Sequence, residues 1–217
     1  ATAYYHHENP TILNVQKLIY DAMGKAHLDE WSPNHKIPSR FFPVIVDQQI
    51  QTLLGNGIDF GDKNTKEKLG KRFDRVVSTL AKYALLGSVG YGFWNYDHLE
   101  AFSVLEFVPL YDEETSKLRA GIRFWQLDEK KPKRYTLYEE DGFTEYIVRN
   151  GEVMQEYAAK RPYKLNTAVS EVGGTIILGG ENYASFPVVP LYNTERRSLI
   201  TWGREQIDSY DLLISDL

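Results

Sequence analysis

Cysteine is absent from the 217 residues. Disulfides, thiolate zinc centres and thiol nucleophiles are therefore excluded, and the absence suits a reducing compartment. No run approaches the ~18 to 20 apolar residues that a membrane-spanning helix needs. The opening Ala1-Thr2-Ala3-Tyr4-Tyr5-His6-His7-Glu8 lacks the basic and apolar regions of a signal peptide. Nor does the chain begin with Met, so a piece trimmed or excised from a longer chain is expected. Positive charge is in short supply: 25 Lys+Arg stand against 30 Asp+Glu, a net charge of −5. A module that grips nucleic acid carries the opposite balance on its contacting face. What is present is ordinary for a globular protein, with 42% hydrophobic and 25% charged residues. The 15 Tyr and 4 Trp exceed the needs of a helical bundle and suit sheets.

Along the chain the periodicity changes character. Residues 1–38 read as an arm with one helix: Val15, Leu18, Ile19 and Ala22 recur at helical spacing, Asn14 caps and Gly24 stops. Pro33 and Pro38 then break the chain. A second helix is predicted over about 39–54, striped by Phe42, Val46, Ile50 and Leu53, with Pro43 tolerated in its first turn. A third is predicted over about 65–86, capped by Asn64 or Thr65, with Leu69, Phe73, Val76, Val77, Leu80 and Ala84 on one face and a stop at Gly87. Strands are predicted over about 89–192. Tyr91-Gly-Phe-Trp-Asn-Tyr96 is the first, and Asp141-Gly142 and Asn150-Gly151 are hairpin signals. Residues 158–186 read only as glycine-containing loops. Phe186–Tyr192 reads as an edge strand because of its prolines. A final helix over about 198–217 carries Ile200, Ile207, Tyr210, Ile214 and Leu217 as a seam, and the chain stops inside it without a C-cap. Helices, then strands, then a helix define an α+β fold with a mainly antiparallel sheet.

Chemistry is hard to find. Asp112-Glu113-Glu114 and Glu139-Glu140-Asp141 could be acid/base pairs or a hard-cation site, as a metal-assisted hydrolase would need, but both fall at predicted turns where charges are solvated. His6 and His7 are adjacent, share no helix face and lack a second ligand set; His27, His35 and His98 are isolated. Gly87-Ser-Val-Gly-Tyr-Gly92 has the wrong order for a phosphate loop, because a helix leads into a strand. Tyr91, Phe93, Trp94 and Tyr96 could stack bases or sugars in a non-catalytic ligand-binding module, but alternation puts one face in the core. Lys130, Lys131, Lys133 and Arg134 form one dense basic patch, at a proline turn. No catalytic, cofactor-binding or metal-binding residue is assigned.

Several passages do carry a resemblance. They are Tyr4-Tyr5-His6-His7 with Ile12; Asn34-His-Lys-Ile-Pro-Ser-Arg-Phe-Phe-Pro-Val-Ile-Val-Asp-Gln-Gln-Ile-Gln-Thr-Leu-Leu-Gly55; and Ala84-Leu-Leu-Gly-Ser-Val-Gly-Tyr-Gly92. Further on come Val108-Pro-Leu-Tyr-Asp112, Ala120-Gly-Ile-Arg-Phe-Trp125 and Tyr138–Tyr146. Last are Pro187-Val-Val-Pro-Leu-Tyr-Asn193, Ile207-Asp-Ser-Tyr-Asp211 and Ser215. In order and spacing the chain resembles the portal proteins of tailed bacteriophages, in the branch of long-tailed phages of Gram-positive bacteria.

That resemblance implies a non-enzymatic ring, usually of twelve subunits, at one capsid vertex of the virion, assembled in the host cytoplasm from a phage or prophage gene. Such a ring nucleates head assembly and passes double-stranded DNA without sequence-specific binding. It also implies a major capsid or scaffolding protein, the terminase large subunit and a head-completion protein as partners, with no cofactor and no membrane. Residues 39–217 resemble the wing region, with the last helix leading toward a stem; clip, tunnel loop and crown are expected beyond Leu217. The seam Ile200, Ile207, Tyr210, Ile214 and Leu217 is expected to pack on its own wing or on a neighbour.

Overall fold

The computed structural model describes residues 1–155, 160–169 and 175–217. In chain order its elements are α1 (Thr2–Tyr5), α2 (Pro10–Leu13), β1 (Leu18–Tyr20), β2 (Ala26–Leu28), α3 (Phe41–Leu54), α4 (Lys63–Leu69) and α5 (Phe73–Gly87). The strands β3 (Val89–Asn95), β4 (His98–Ser103), β5 (Phe107–Tyr111), β6 (Leu118–Trp125), β7 (Arg134–Glu139), β8 (Gly142–Arg149) and β9 (Glu152–Gln155) follow. Then come β10 (Lys164–Val169), β11 (Thr175–Glu181), β12 (Val188–Tyr192), two 3-10 turns (Thr194–Arg196 and Leu199–Trp202) and α6 (Arg204–Ser215). The fold is α+β, and the hairpin pairings β1–β2, β3–β4, β10–β11 and β5 through β9 are antiparallel. The chain divides into two compact units, residues 1–57, 84–88 and 192–217, and residues 58–83 and 89–191.

In the first unit the core is Tyr4, Phe42, Val46, Leu85, Leu86, Ile200 and Ile207. Phe42 and Val46 are four residues apart on α3 and so share a face; Ile50, the next step, packs against this core. Leu53 continues the stripe in sequence but is exposed. Pro43 sits in the first turn, where no intrahelical N–H is lost.

The arm differs from its sequence reading. No helix spans residues 14–24; instead β1 and β2 form an antiparallel hairpin pairing Leu18 with Leu28 and Tyr20 with Ala26. The reversal has a local cause. The Asp21 carboxylate accepts the backbone N–H groups of Met23 and Lys25, each at 2.9 Å, and Gly24 adopts φ +77°. Four residues of turn chemistry override a weak helical period. Asn14, expected to open that helix, closes α2 instead. The arm's helices are α1 and α2, the latter capped by Asn9, whose side-chain oxygen accepts from Thr11 N–H.

The single helix expected over 65–86 is two. Gly70, at φ +81°, ends α4, and α5 starts at Phe73. Asp62, not Asn64 or Thr65, is the cap of α4. At the far end of α5 the left-handed residue is Ser88, at φ +75°, one position later than the stop expected at Gly87.

Two sheets follow, ordered β12-β3-β4 and β5-β6-β7-β8-β9, with β10-β11 a separate pair. The hairpin β10–β11 replaces part of the loop reading of 158–186; residues 158, 159 and 170–174 of that stretch lie outside the described residues. Asn150 and Gly151 form the two-residue turn between β8 and β9, both with positive φ, the conformation an Asn-Gly hairpin needs. Between β7 and β8 the turn is Glu140-Asp141, one residue earlier than the Asp-Gly reading, because Glu139 pairs with Gly142. Gly142 is needed for another reason: a Cβ there would collide with the Arg161 carbonyl.

The core of the second unit is aromatic. Phe93 contacts Tyr138 at 4.8 Å between ring centroids, Tyr91 contacts Phe107 at 4.7 Å, and Phe102 lies 5.7 Å from both Phe93 and Phe107. Such pairs add about 0.5–1.5 kcal/mol each beyond burial. Glycines make room for the rings and for the helix: a Cβ on Gly121 would strike the Phe107 ring, and one on Gly90 would lie 2.6 Å from the Leu80 carbonyl oxygen of α5. Arg123 lies over Phe102, 4.2 Å from its centroid, and pairs with Glu100 at 3.2 Å.

Burial pushes the Tyr138 phenol up to about 12 from its ordinary 10.0. Burial also raises Tyr163, whose hydroxyl donates to the Glu139 carbonyl at 2.6 Å. A raised phenol holds its proton in the folded state after the unfolded chain has released it. Its contribution is therefore complete below pH 10 and is lost as pH rises to about 12. Unfolding by urea at stepped pH should lose stability across that window, at about 1.4 kcal/mol per pH unit for one phenol. Tyr138→Phe should flatten the slope; an unchanged slope would remove Tyr138 from this role.

Candidate subunit interface

The final helical segment differs from the single stretch expected over 198–217. A 3-10 turn holds Ile200, Gly203 interrupts, and α6 begins at Arg204. Its buried residues are Ile207, Asp211 and Ser215, four apart and so on one face. Two of these three are polar, and Asp211 and Ser215 are each only 1% exposed.

A buried carboxylate needs partners, and the N-terminal arm supplies them. The Asn9 amide nitrogen donates to Asp211 Oδ2 at 2.8 Å and to Asp208 Oδ1 at 3.0 Å. Its orientation is fixed because Asn9 Oδ1 is occupied by Thr11 N–H. Asp211 Oδ1 accepts Ser39 N–H at 2.9 Å. Ser215 Oγ accepts Ile37 N–H at 2.9 Å and donates to the Asp211 carbonyl at 2.7 Å. The Ser215 carbonyl, one of the four that a helix C-terminus leaves unpaired, accepts His35 N–H at 2.9 Å. Residues 35, 37 and 39 thus present alternate N–H groups to α6 as a strand would to its neighbour. Around the rim, Asp208 accepts the Tyr4 hydroxyl at 2.7 Å and that of Thr11 at 3.1 Å, and Lys17 pairs with Asp216 at 2.7 Å.

The five seam residues part company in this arrangement. Ile200 and Ile207 are in the core of their own unit. Ile214 is half-buried. Tyr210 is 43% exposed, with its ring edge-on to Phe41 at 4.9 Å, and Leu217 is 82% exposed. Asn9 and the polar residues Asp208, Asp211 and Ser215 were missed as a group. A detectable signal existed: Asp211 and Asp216 lie toward the helix C-terminus, where the macrodipole disfavours acids, so a compensating partner was required.

The other sequence candidates resolve into structural roles. Asp112 accepts the backbone N–H and the hydroxyl of Thr115, both at 2.8 Å, which with Arg119 nearby holds its carboxyl below the ordinary range. Glu139 and Asp141 both pair with Lys160, at 2.8 and 2.6 Å. Among the described residues no cluster of three or more His, Asp or Glu could hold a metal. Tyr91 and Phe93 are core residues, Trp94 is half-buried and Tyr96 is exposed. The basic turn borders a cleft of about 380 Å³ lined by Phe124, Trp125, Gln126, Lys133, Arg134 and Tyr135, and Arg134 lies over Trp125 at 5.3 Å.

What the arrangement does is lock α6 to the arm. The family model described as "Phage portal protein, SPP1 Gp6-like" matches residues 1–217, and the chain belongs to that family. The portal protein of Bacillus phage SPP1 is 22% identical over 235 residues, covering 98% of this chain and 44% of that protein. The chain thus spans less than half the length of that relative.

Asn9→Ala should leave Asp211 and Asp208 short of a donor. The expected cost is about 2–3 kcal/mol, as for a hydrogen bond to a charged group, or a melting point lowered by roughly 5–10 °C. Tyr5→Phe removes an exposed hydrogen bond to Asp47 of 2.9 Å and should cost under about 0.5 kcal/mol. Equal shifts for the two variants in a thermal melt would remove the lock from its central place.

Proposed function

We propose that this chain forms the wing-like part of a portal subunit. In its natural full length, that subunit closes into a ring at a capsid vertex and serves as the conduit for double-stranded DNA. The observation that carries the reading is the convergence of family-like passages on one lock. Tyr4 from the opening, residues 35–39 from the central stretch, and Asp208, Asp211 and Ser215 from the last passage meet around α6. A ring of identical subunits works through geometry: head-to-tail contacts close when the rotation per subunit closes, so each subunit must hold its contact surfaces in fixed positions. Twelve subunits is the number the family resemblance favours. The net charge of −5 suits a conduit along which the duplex must slide.

The role is structural, without catalysis or cofactor. The partners proposed for the whole subunit are a capsid or scaffolding protein, the packaging terminase and a head-completion protein, in the virion and in the host cytoplasm during assembly. The outer half of the α6 seam, Tyr210 and Leu217, is assigned to contacts with a neighbouring subunit or with the stem, while Ile200 and Ile207 hold the helix to its own unit.

Negative-stain microscopy of the natural full-length protein should show rings with a central hole. Monodisperse particles without a ring, across protein and salt concentration, would overturn the reading. The double substitution Tyr210→Asp with Leu217→Asp should reduce the ring population without lowering the melting point; undiminished rings would return those residues to solvent.

A further inference from the structure

The five-stranded sheet is charged oppositely at its two ends. Strands β5 to β9 run alternately up and down in sequence order. The β5–β6 and β7–β8 turns therefore share one end, and the β6–β7 and β8–β9 turns share the other. The first end carries Asp112, Glu113 and Glu114 in one turn and Glu139, Glu140 and Asp141 at the next. Lys117, Arg119 and Lys160 temper it and leave acid in excess. The second end carries Lys130, Lys131, Lys133 and Arg134 around Pro132. The carboxylates of that turn, Asp128 and Glu129, stand on its β6 side, so the cations are grouped where β7 begins. Arg149 and Glu152 face each other across β8 and β9, and Glu106 accepts the Ser103 N–H.

Both turns are braced. In the acidic one, Asp112 accepts the Thr115 N–H and hydroxyl and donates its own N–H to the Lys117 carbonyl at 2.9 Å. Glu113 and Glu114 are left exposed at the tip. In the basic one, the Gln126 side-chain amide donates to the carbonyls of Glu129 and Lys131, at 3.2 and 2.8 Å. Beside it lies the cleft of about 380 Å³ with Lys133 and Arg134 in its wall. Among the described residues no ion pair engages Glu113, Glu114, Lys131 or Lys133. Turns already held in shape lose little freedom on contact.

We propose that the Glu113-Glu114 turn of one copy seats against the Lys131–Lys133 turn of the next. The proposal rests on the ring reading above and names one contact that would help close the ring. Charge complementarity selects the occupant. The eight residues of β6 hold the two turns roughly 25 Å apart, several times the Debye length of about 8 Å at physiological salt. One copy therefore does not neutralise its own turns; a neighbour does. A two-fold contact centred on either turn sets acid on acid or base on base, whereas a head-to-tail contact sets acid on base. The charges thus favour the kind of contact from which rings are made. The cleft adds depth: its volume is of the order that receives a ligand group, and partial desolvation there strengthens pairs that would count for little on open surface.

Charge reversal in the natural full-length protein tests the contact. Lys131→Glu with Lys133→Glu makes both turns acidic, and Glu113→Lys with Glu114→Lys makes both basic. Each variant alone should keep the parent melting point and lose rings about tenfold by light scattering. Mixed in equal amounts, the two should recover rings to within about twofold of the parent, because each supplies the charge the other lacks. The neutral pair Lys131→Gln with Lys133→Gln should show a smaller loss. Reversed variants that form rings at the parent level overturn this inference alone. Loss in both variants without recovery on mixing assigns the turns to other partners and overturns it too. Normal rings from Lys131→Glu with Lys133→Glu, combined with weaker retention of duplex DNA, would mark the cleft as a phosphate contact, again against the inference. An unsubstituted protein that forms no rings overturns both this inference and the ring reading.

Discussion

The carboxylate of Asp211 is the interaction on which the first unit turns. It is sealed from water on a helix face that would ordinarily be apolar, and one side of it is answered from Asn9, the other from Ser39. Those two residues come from separate stretches of the arm, so a single carboxyl group ties three parts of the chain together. The cost of burying so polar a group is met by directed hydrogen bonds. Remove any partner and a buried polar atom is left unpaired, which makes the arrangement intolerant of partial assembly.

The second unit is held by the opposite means. Its interior is a set of aromatic rings seated by glycines, with Gly121 opening space for Phe107 and Gly90 letting β3 approach α5. Ring packing is tolerant in direction and demanding in volume. The ion pair of Arg123 with Glu100 is laid over Phe102 rather than set apart from the aromatic layer. The two units thus divide the labour: one holds its helix by directed polar contacts, the other its sheets by volume.

Much of this was legible in the residues, and the failures have physical causes. The α+β order, the aromatic core strand, the Asn150-Gly151 turn and the Phe42–Val46 face of α3 followed from periodicity and turn chemistry. The arm did not. Val15, Leu18, Ile19 and Ala22 mimic a helical stripe, yet the Asp21 carboxylate and Gly24 cost the chain less to reverse than to continue. Gly70 sits inside a strong helical period that masks it, although at φ +81° it ends a helix. The seam on the last helix reads as apolar, and the inward turn of Asp211 and Ser215 escapes it: hydrophobic spacing finds apolar cores and is blind to polar ones. The family-like passages, by contrast, pointed to residues that do meet in space.

A helix seated by apolar side chains can roll by some tens of degrees at little cost, because one greasy contact substitutes for another. α6 has no such freedom. Turning it by one residue, about 100°, would carry Asp211 away from Asn9 and Ser39 and strip Ser215 of Ile37. The helix is keyed rather than greased, like a shaft cut to fit its bore. Its rotational setting is therefore fixed by hydrogen-bond geometry rather than by side-chain volume; in the ring proposed above, that would give every subunit the same helix setting.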